Sequence, residues 1–235
     1  MFETRATGVE LLDDFNCDEL VAVESYRLME RVNRFLGGTG VVKRFVKAER
    51  ARLLERRPLR VLDIGSGGCD IPLAVSRWAA ARGIDVEFTC VEYNRHGADL
   101  TRRKLADAAD PKITFIEEDI LSHQPNEPYD CAVASMFFHH YADEVILEFV
   151  SRLRTFVRRS LLINDLLRSW TTYVGCWLVA IGVPAGVWHD ALLSVRRGFR
   201  PKELETLLRR LGNVSCSAAQ APFCRVKAAV HFDPR

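Results

Sequence analysis

The chain has 235 residues, 48% of them hydrophobic, which suits one sizeable domain and excludes a disordered tail or a disulfide-stapled miniature. Its 33 Lys and Arg against 31 acidic residues leave a net charge of +2, so no strong field draws it to nucleic acid. Seven scattered cysteines without a CxxC read as reduced thiols of a cytoplasmic protein, not as zinc ligands or disulfides, and MFETRATGVELLDD at the start lacks the pattern of a secretory leader.

From Asp18 to about Arg56, apolar residues recur at helical spacing on both sides of Gly37-Gly38-Thr39-Gly40, which predicts two N-terminal helices. After Pro58 the pattern becomes short apolar runs alternating with amphipathic segments. Strands are expected at 59–64, 86–91, 113–116, 129–135 and 160–163, with helices at 71–82, 97–108 and 143–158. That rhythm implies a parallel sheet with helices on both faces. The stretch 170–188 is nearly uncharged, but Gly175, Gly182, Pro184 and Gly186 interrupt it. It is read as a buried cap helix and loop, not as a membrane span. The run WHDALLSVRRGF then reads as a polar loop. A helix opened by Pro201 follows, and two strands around Val214 and from Arg225 to Phe232 are expected to form an antiparallel sheet edge.

VLDIGSGGCDIPLAV, residues 61–75, places a glycine turn at the carboxyl end of the first strand and ahead of a helix. Glycine permits positive φ and close approach of a ligand to the backbone, and ligands of open α/β sheets bind outside these strand ends. The turn departs from GxGxxG, with Asp70 three residues after Gly67. A carboxylate there repels a pyrophosphate, and Asp63 adds a second acid, so a ligand with positive charge and hydroxyls is favoured. The second strand ends in Glu92, able to accept both hydroxyls of a ribose, followed by Tyr93, whose ring can lie along an adenine. After the third strand, Asp119 can accept from an adenine amine and Ile120 can pack on the ring.

As a set these segments resemble the class I S-adenosylmethionine-dependent methyltransferases. The first motif lies at Asp63-Ile64-Gly65-Ser66-Gly67-Gly68, the ribose acid at Glu92, the adenine acid at Asp119, and the fourth motif in YDCAVASMFFHHY from Tyr129, over residues 58–165. The resemblance implies a Rossmann-like α/β fold: a seven-stranded, mostly parallel sheet with its last strand reversed, N-terminal helices, and a helical insertion capping the site. It divides the chain into a helical lid (1–57) and a catalytic domain (58–235) with 166–199 as the cap. S-adenosylmethionine is the implied cofactor, held by Asp63, Gly65, Ser66, Gly67, Asp70, Glu92, Tyr93, Asp119, Ile120 and Ser135, and no metal is expected.

The acceptor should lie near the fourth-motif strand end, where Phe138, His139, His140 and Tyr141 stand. No Asn-Pro-Pro-Tyr or Asp-Pro-Pro-Tyr run occurs, which disfavours base or amide N-methylation. Aromatic residues with histidines suit a planar acceptor whose hydroxyl must lose a proton, with His139 or His189 as base. Tyr26, Arg27, Phe138, His140, Trp170 and Arg196 are the candidate acceptor contacts. Tyr26-Arg27 and Asn33-Arg34 in the N-terminal helices, IND at 163–165 and HDALLSVRRGF at 189–199 resemble a bacterial small-molecule subgroup associated with type III polyketide synthases. That subgroup implies O-methylation of a phenol or enol of polyketide or phenolic-lipid type by a monomer or homodimer without a membrane span. C-methylation of a quinol-like ring, and a cofactor-binding protein that has lost methyl transfer, are the alternatives.

Overall fold

The computed structural model describes residues 2–14 and 16–232. Two helices, α1 (Glu19–Phe35) and α2 (Gly38–Arg52), precede the sheet. Asp18 caps α1 by accepting from the Leu20 and Val21 amides. The second helix starts inside the glycine run, because Gly37 at φ +80° turns the chain where a Cβ would stand 3.0 Å from the Phe223 ring.

Then come β1 (Leu59–Ile64), α3 (Asp70–Ala80), β2 (Val86–Glu92), α4 (Arg95–Ala108), β3 (Ile113–Glu117), β4 (Tyr129–Ser135), α5 (Asp143–Leu153) and β5 (Val157–Leu166). The helices α6 (Trp170–Val179), α7 (Ala185–Arg197) and α8 (Pro201–Arg209) lead to β6 (Val214–Ala221) and β7 (Arg225–Phe232). The seven strands lie in the order β3-β2-β1-β4-β5-β7-β6, and β7 alone runs against the others. This is the expected Rossmann-like sheet. Its two faces are buried by separate apolar cores, one around Phe138, Phe149 and Phe199, the other around Val42, Val75 and Phe88.

Three expectations need correction. Helix α5 stops at Leu153, and Val157 to Arg159 belong to β5: Val157 pairs with Tyr129 of β4, and this strand pairing claims residues whose periodicity alone extends the helix. The cap segment is two helices, and α6 is not buried, since Trp170 (61%), Val174 and Leu178 are exposed. His189 to Arg197 form the latter part of α7 rather than a loop, so their polar groups follow a helical face. No helix among the described residues is long and apolar enough to cross a membrane.

An N-terminal strap ties the layers together at the carboxyl ends of the strands. Phe2 is buried edge-on against Trp170 and Tyr173, and Arg168 donates to its carbonyl. Arg5 donates to the carbonyls of His139 and Tyr141 and pairs with Asp143 at 2.8 Å. Leu12 N–H donates to Asp190, and the Leu12 carbonyl accepts from Asn94. Residues 2–14 therefore reach the site with no regular helix or strand beyond one short 3₁₀ turn.

Candidate active site

The turn after β1 opens a cleft of about 500 Å³. All ten residues expected to hold the cofactor line it: Asp63, Gly65, Ser66, Gly67, Asp70, Glu92, Tyr93, Asp119, Ile120 and Ser135. Gly65 and Gly67 take φ of +60° and +54°. A Cβ at Gly65 would stand 2.3 Å from Phe137 Cδ2, and one at Gly67 would stand 3.2 Å from the Tyr26 ring. The glycines thus admit two aromatic walls as well as a ligand.

Glu92 is pinned by two backbone donors, the Gly67 and Asn94 amides, each at 2.7 Å. Burial raises its carboxyl above the ordinary value although these amides oppose the shift. Burial also raises Asp63, and the neighbouring charges of Asp70 and Glu92 push the same way. Asp70 rises through burial as well, partly offset by the Asn33 amide donating to it at 3.2 Å. Two buried acids and the half-buried Asp70 around a glycine turn fit a ligand bearing fixed positive charge, a sulfonium and an ammonium, and oppose a phosphate.

Beside the cleft lies an inner pocket of about 230 Å³, walled largely by Leu28, Val32, Leu36, Leu166, Val179 and Val187. Leu12, Met29, Met136 and His140 line both cavities, so the two adjoin along the end of β4. Met136 stands there at φ +53°, a left-handed conformation that costs a residue with a side chain, and its N–H is held by the Asn164 carbonyl. The seam between the cavities thus contains a strained residue held in place by that hydrogen bond.

His139 lines the inner pocket and is 1% exposed. Its Nδ1 lies 2.7 Å from Asp165 Oδ1, and its backbone N–H donates to Oδ2 at 3.2 Å. A carboxylate only accepts, so Nδ1 carries the shared proton, and in the neutral ring the lone pair lies on Nε2. Burial alone would raise Asp165; the charge and hydrogen bond of His139 and the Leu166 amide reverse that and draw it to about 2. Nε2 lies 3.7 Å from Glu10 Oε1, a buried oxygen without a hydrogen-bond partner. His140 lies 2.9 Å from Asp13; burial lowers its pKa, but Glu10 and Asp13 outweigh this and raise it to about 9. His140 is therefore a cation at neutral pH, unsuited to act as base, while His139 is the ring oriented by a buried carboxylate.

The other candidates divide. Tyr26 lines the cleft, buried behind Gly67. Phe138 is fully buried between Phe137 and Phe149 and lines neither cavity. Trp170 packs outward on Phe2, Arg27 is exposed and paired with Glu24, and Arg196 lines neither cavity. His189 is 64% exposed and faces Asp190 at 3.3 Å, away from both. The sequence reading missed Glu10, Leu12, Asp13, Met29, Asp165 and Arg225. Asp165 was on view as the acid of the strand-end IND, but nothing local signals that residues 10–13 return to the site.

Residues 61–160 match a family model described as a methyltransferase domain. The matched segment runs from β1 into β5 and contains the glycine turn and the strand ends that line the cleft. Among solved structures it is similar to the plantazolicin methyltransferase BpumL with S-adenosylhomocysteine, at 14% identity and TM-score 0.65, covering 92% of this chain and 95% of that one. The plantazolicin methyltransferase BamL with a triazolic desmethyl analogue aligns at 12% identity and TM-score 0.67, over 94% and 98%. Magnesium protoporphyrin IX methyltransferase of Synechocystis PCC 6803 aligns at 13% and 0.55, over 86% and 87%. At these identities the likeness is one of fold. No curated protein matches the sequence.

Proposed function

We propose that this methyltransferase transfers a methyl group to the hydroxyl of a planar, apolar small molecule, a phenol or enol of polyketide or phenolic-lipid type, seated in the inner pocket. The observation that carries the reading is the His139–Asp165 pair on the wall of an apolar pocket that adjoins the cofactor cleft. Asp63, Asp70, Glu92 and Asp119, with the glycine turn, would hold S-adenosylmethionine, which supplies an electrophilic methyl group on a sulfonium. Asp165 fixes the His139 tautomer so that Nε2 takes the acceptor's proton while the hydroxyl oxygen becomes nucleophilic. The apolar walls exclude water and orient the ring, which supplies much of the remaining acceleration. His140, as a cation beside both cavities, can stabilise developing negative charge on the acceptor oxygen.

The test is transfer of a labelled methyl group to 2-naphthol by wild type and His139→Gln. The substitution is expected to slow transfer by about 10²–10⁴-fold with S-adenosylhomocysteine affinity unchanged. An unaltered rate in the variant would remove His139 from the chemistry.

A further inference from the structure

One charged group of the inner pocket is left over by this scheme. Arg225, at the start of β7, lines the pocket and is fully buried. Its Nη2 donates to Asn33 Oδ1 at 2.8 Å, while Nη1 has no hydrogen-bond partner among the described residues. The other two deeply buried arginines differ: Arg168 pairs with Glu203 at 2.6 Å, and Arg197 reaches Asp13 at 3.4 Å and Glu10 at 3.8 Å. Asp165 and Asp70 attract Arg225 from a distance, but the first is committed to His139 and the second to Asn33. Burial draws the guanidinium down to about 10, against the pull of those acids.

A second feature adds positive charge at the same place. The first turn of α2 lies against the guanidinium, since a Cβ on Gly38 would stand 3.1 Å from Nη2, and no side chain caps that helix. A helix N-terminus and an arginine side by side, with no carboxylate paired to either, make a buried surplus of positive charge. An apolar pocket with one such donor suits a monoanion; a phosphate would require several donors.

We propose that the acceptor carries a carboxylate and that Arg225 Nη1 receives it in the inner pocket. The proposal rests on the methyl-transfer reading above and names its substrate class: a planar hydroxy acid, held by its carboxylate at Arg225 while its hydroxyl meets His139. Arg225 then sets specificity, and holding the carboxylate keeps it from becoming the methylated group. Through Asn33, the Arg225 contact is also linked to Asp70 of the cofactor cleft.

The experiment is calorimetry on full-length protein saturated with S-adenosylhomocysteine, with 6-hydroxy-2-naphthoate and 6-hydroxy-2-naphthamide as probes. Wild type should bind the carboxylate at least about tenfold more tightly than the amide. Arg225→Met should remove that preference by weakening the carboxylate alone, with S-adenosylhomocysteine affinity retained as evidence of folding. Equal affinities in wild type, no binding of the carboxylate, or a preference that survives in Arg225→Met would overturn the proposal. The wild-type comparison decides even if the variant does not fold. Because no turnover is involved, a failure here is distinct from a failure of methyl transfer, which the labelled-methyl assay with neutral 2-naphthol reads separately.

Discussion

Glu92→Gln isolates the cofactor cradle. The carboxylate spans two backbone donors at 2.7 Å, Gly67 N–H in the glycine turn and Asn94 N–H at the start of α4, while facing the cleft. A glutamine keeps one acceptor oxygen and sets its amide nitrogen against the other N–H, so one charge-assisted hydrogen bond is lost and two donors face each other. Hydrogen bonds to a charged group contribute about 1.5–3 kcal/mol each. The intraprotein bond lost costs stability, whereas the weakened acceptance from the ribose hydroxyls should cost cofactor binding about 1.5–3 kcal/mol, or roughly 10- to 150-fold in Kd. Calorimetry with S-adenosylhomocysteine measures this directly, and circular dichroism establishes that the variant is folded. A folded variant whose Kd changes less than about threefold would refute the assignment of Glu92 to the cofactor.

Asp165→Asn should present an amide donor to His139 Nδ1 and turn the ring to the wrong tautomer. The expected loss in kcat is about 10³–10⁴-fold, the scale seen when an analogous catalytic acid is replaced, with the KM for S-adenosylmethionine unchanged; an equal change in both would point to structural damage. Gly65→Ala forces a Cβ into the Phe137 ring at φ +60° and should cost about 2–4 kcal/mol by urea unfolding, whereas a cost under about 1 kcal/mol would show that the ring yields. Buried Asp130 accepts from two nitrogens of Arg57 at 2.7 Å each; burial raises its carboxyl, but the Arg57 hydrogen bonds outweigh that and the net shift is downward. Its folded pKa therefore lies below the unfolded value, so the pair stabilises the protein above about pH 4 and loses that contribution as pH falls further. Arg57→Ala should lower Tm at pH 7 by several degrees and by less at pH 3, and a pH-independent difference would contradict the pairing.

The strand-end chemistry was readable because it is local. Asp63, Asp70, Glu92 and Asp119 each sit at or just past the end of an apolar run or glycine turn, and the alternating rhythm fixes where those ends meet. Boundaries failed where tertiary pairing competes with periodicity, as at Val157 to Arg159, the start of β5, where the pairing of Val157 with β4 overrides a helical pattern. The acceptor side failed for a different reason. Glu10 and Asp13 reach His139 and His140 across about 130 residues of chain, through a strap held by Arg5, Arg168 and Asp190 whose partners no local pattern announces. His189 looked functional because it precedes an acid and two arginines. In α7 the two neighbours diverge: Asp190 turns inward to Leu12 N–H, while His189, still 3.3 Å from it, is exposed to solvent.

Product connectivity after incubation with S-adenosylmethionine and 6-hydroxy-2-naphthoate is the most direct measurement of the central claim. Nuclear magnetic resonance should show the new methyl group on the 6-hydroxyl oxygen, as an aryl methyl ether. A methyl on a ring carbon, a methyl ester, or no transfer would contradict a hydroxyl activated at His139.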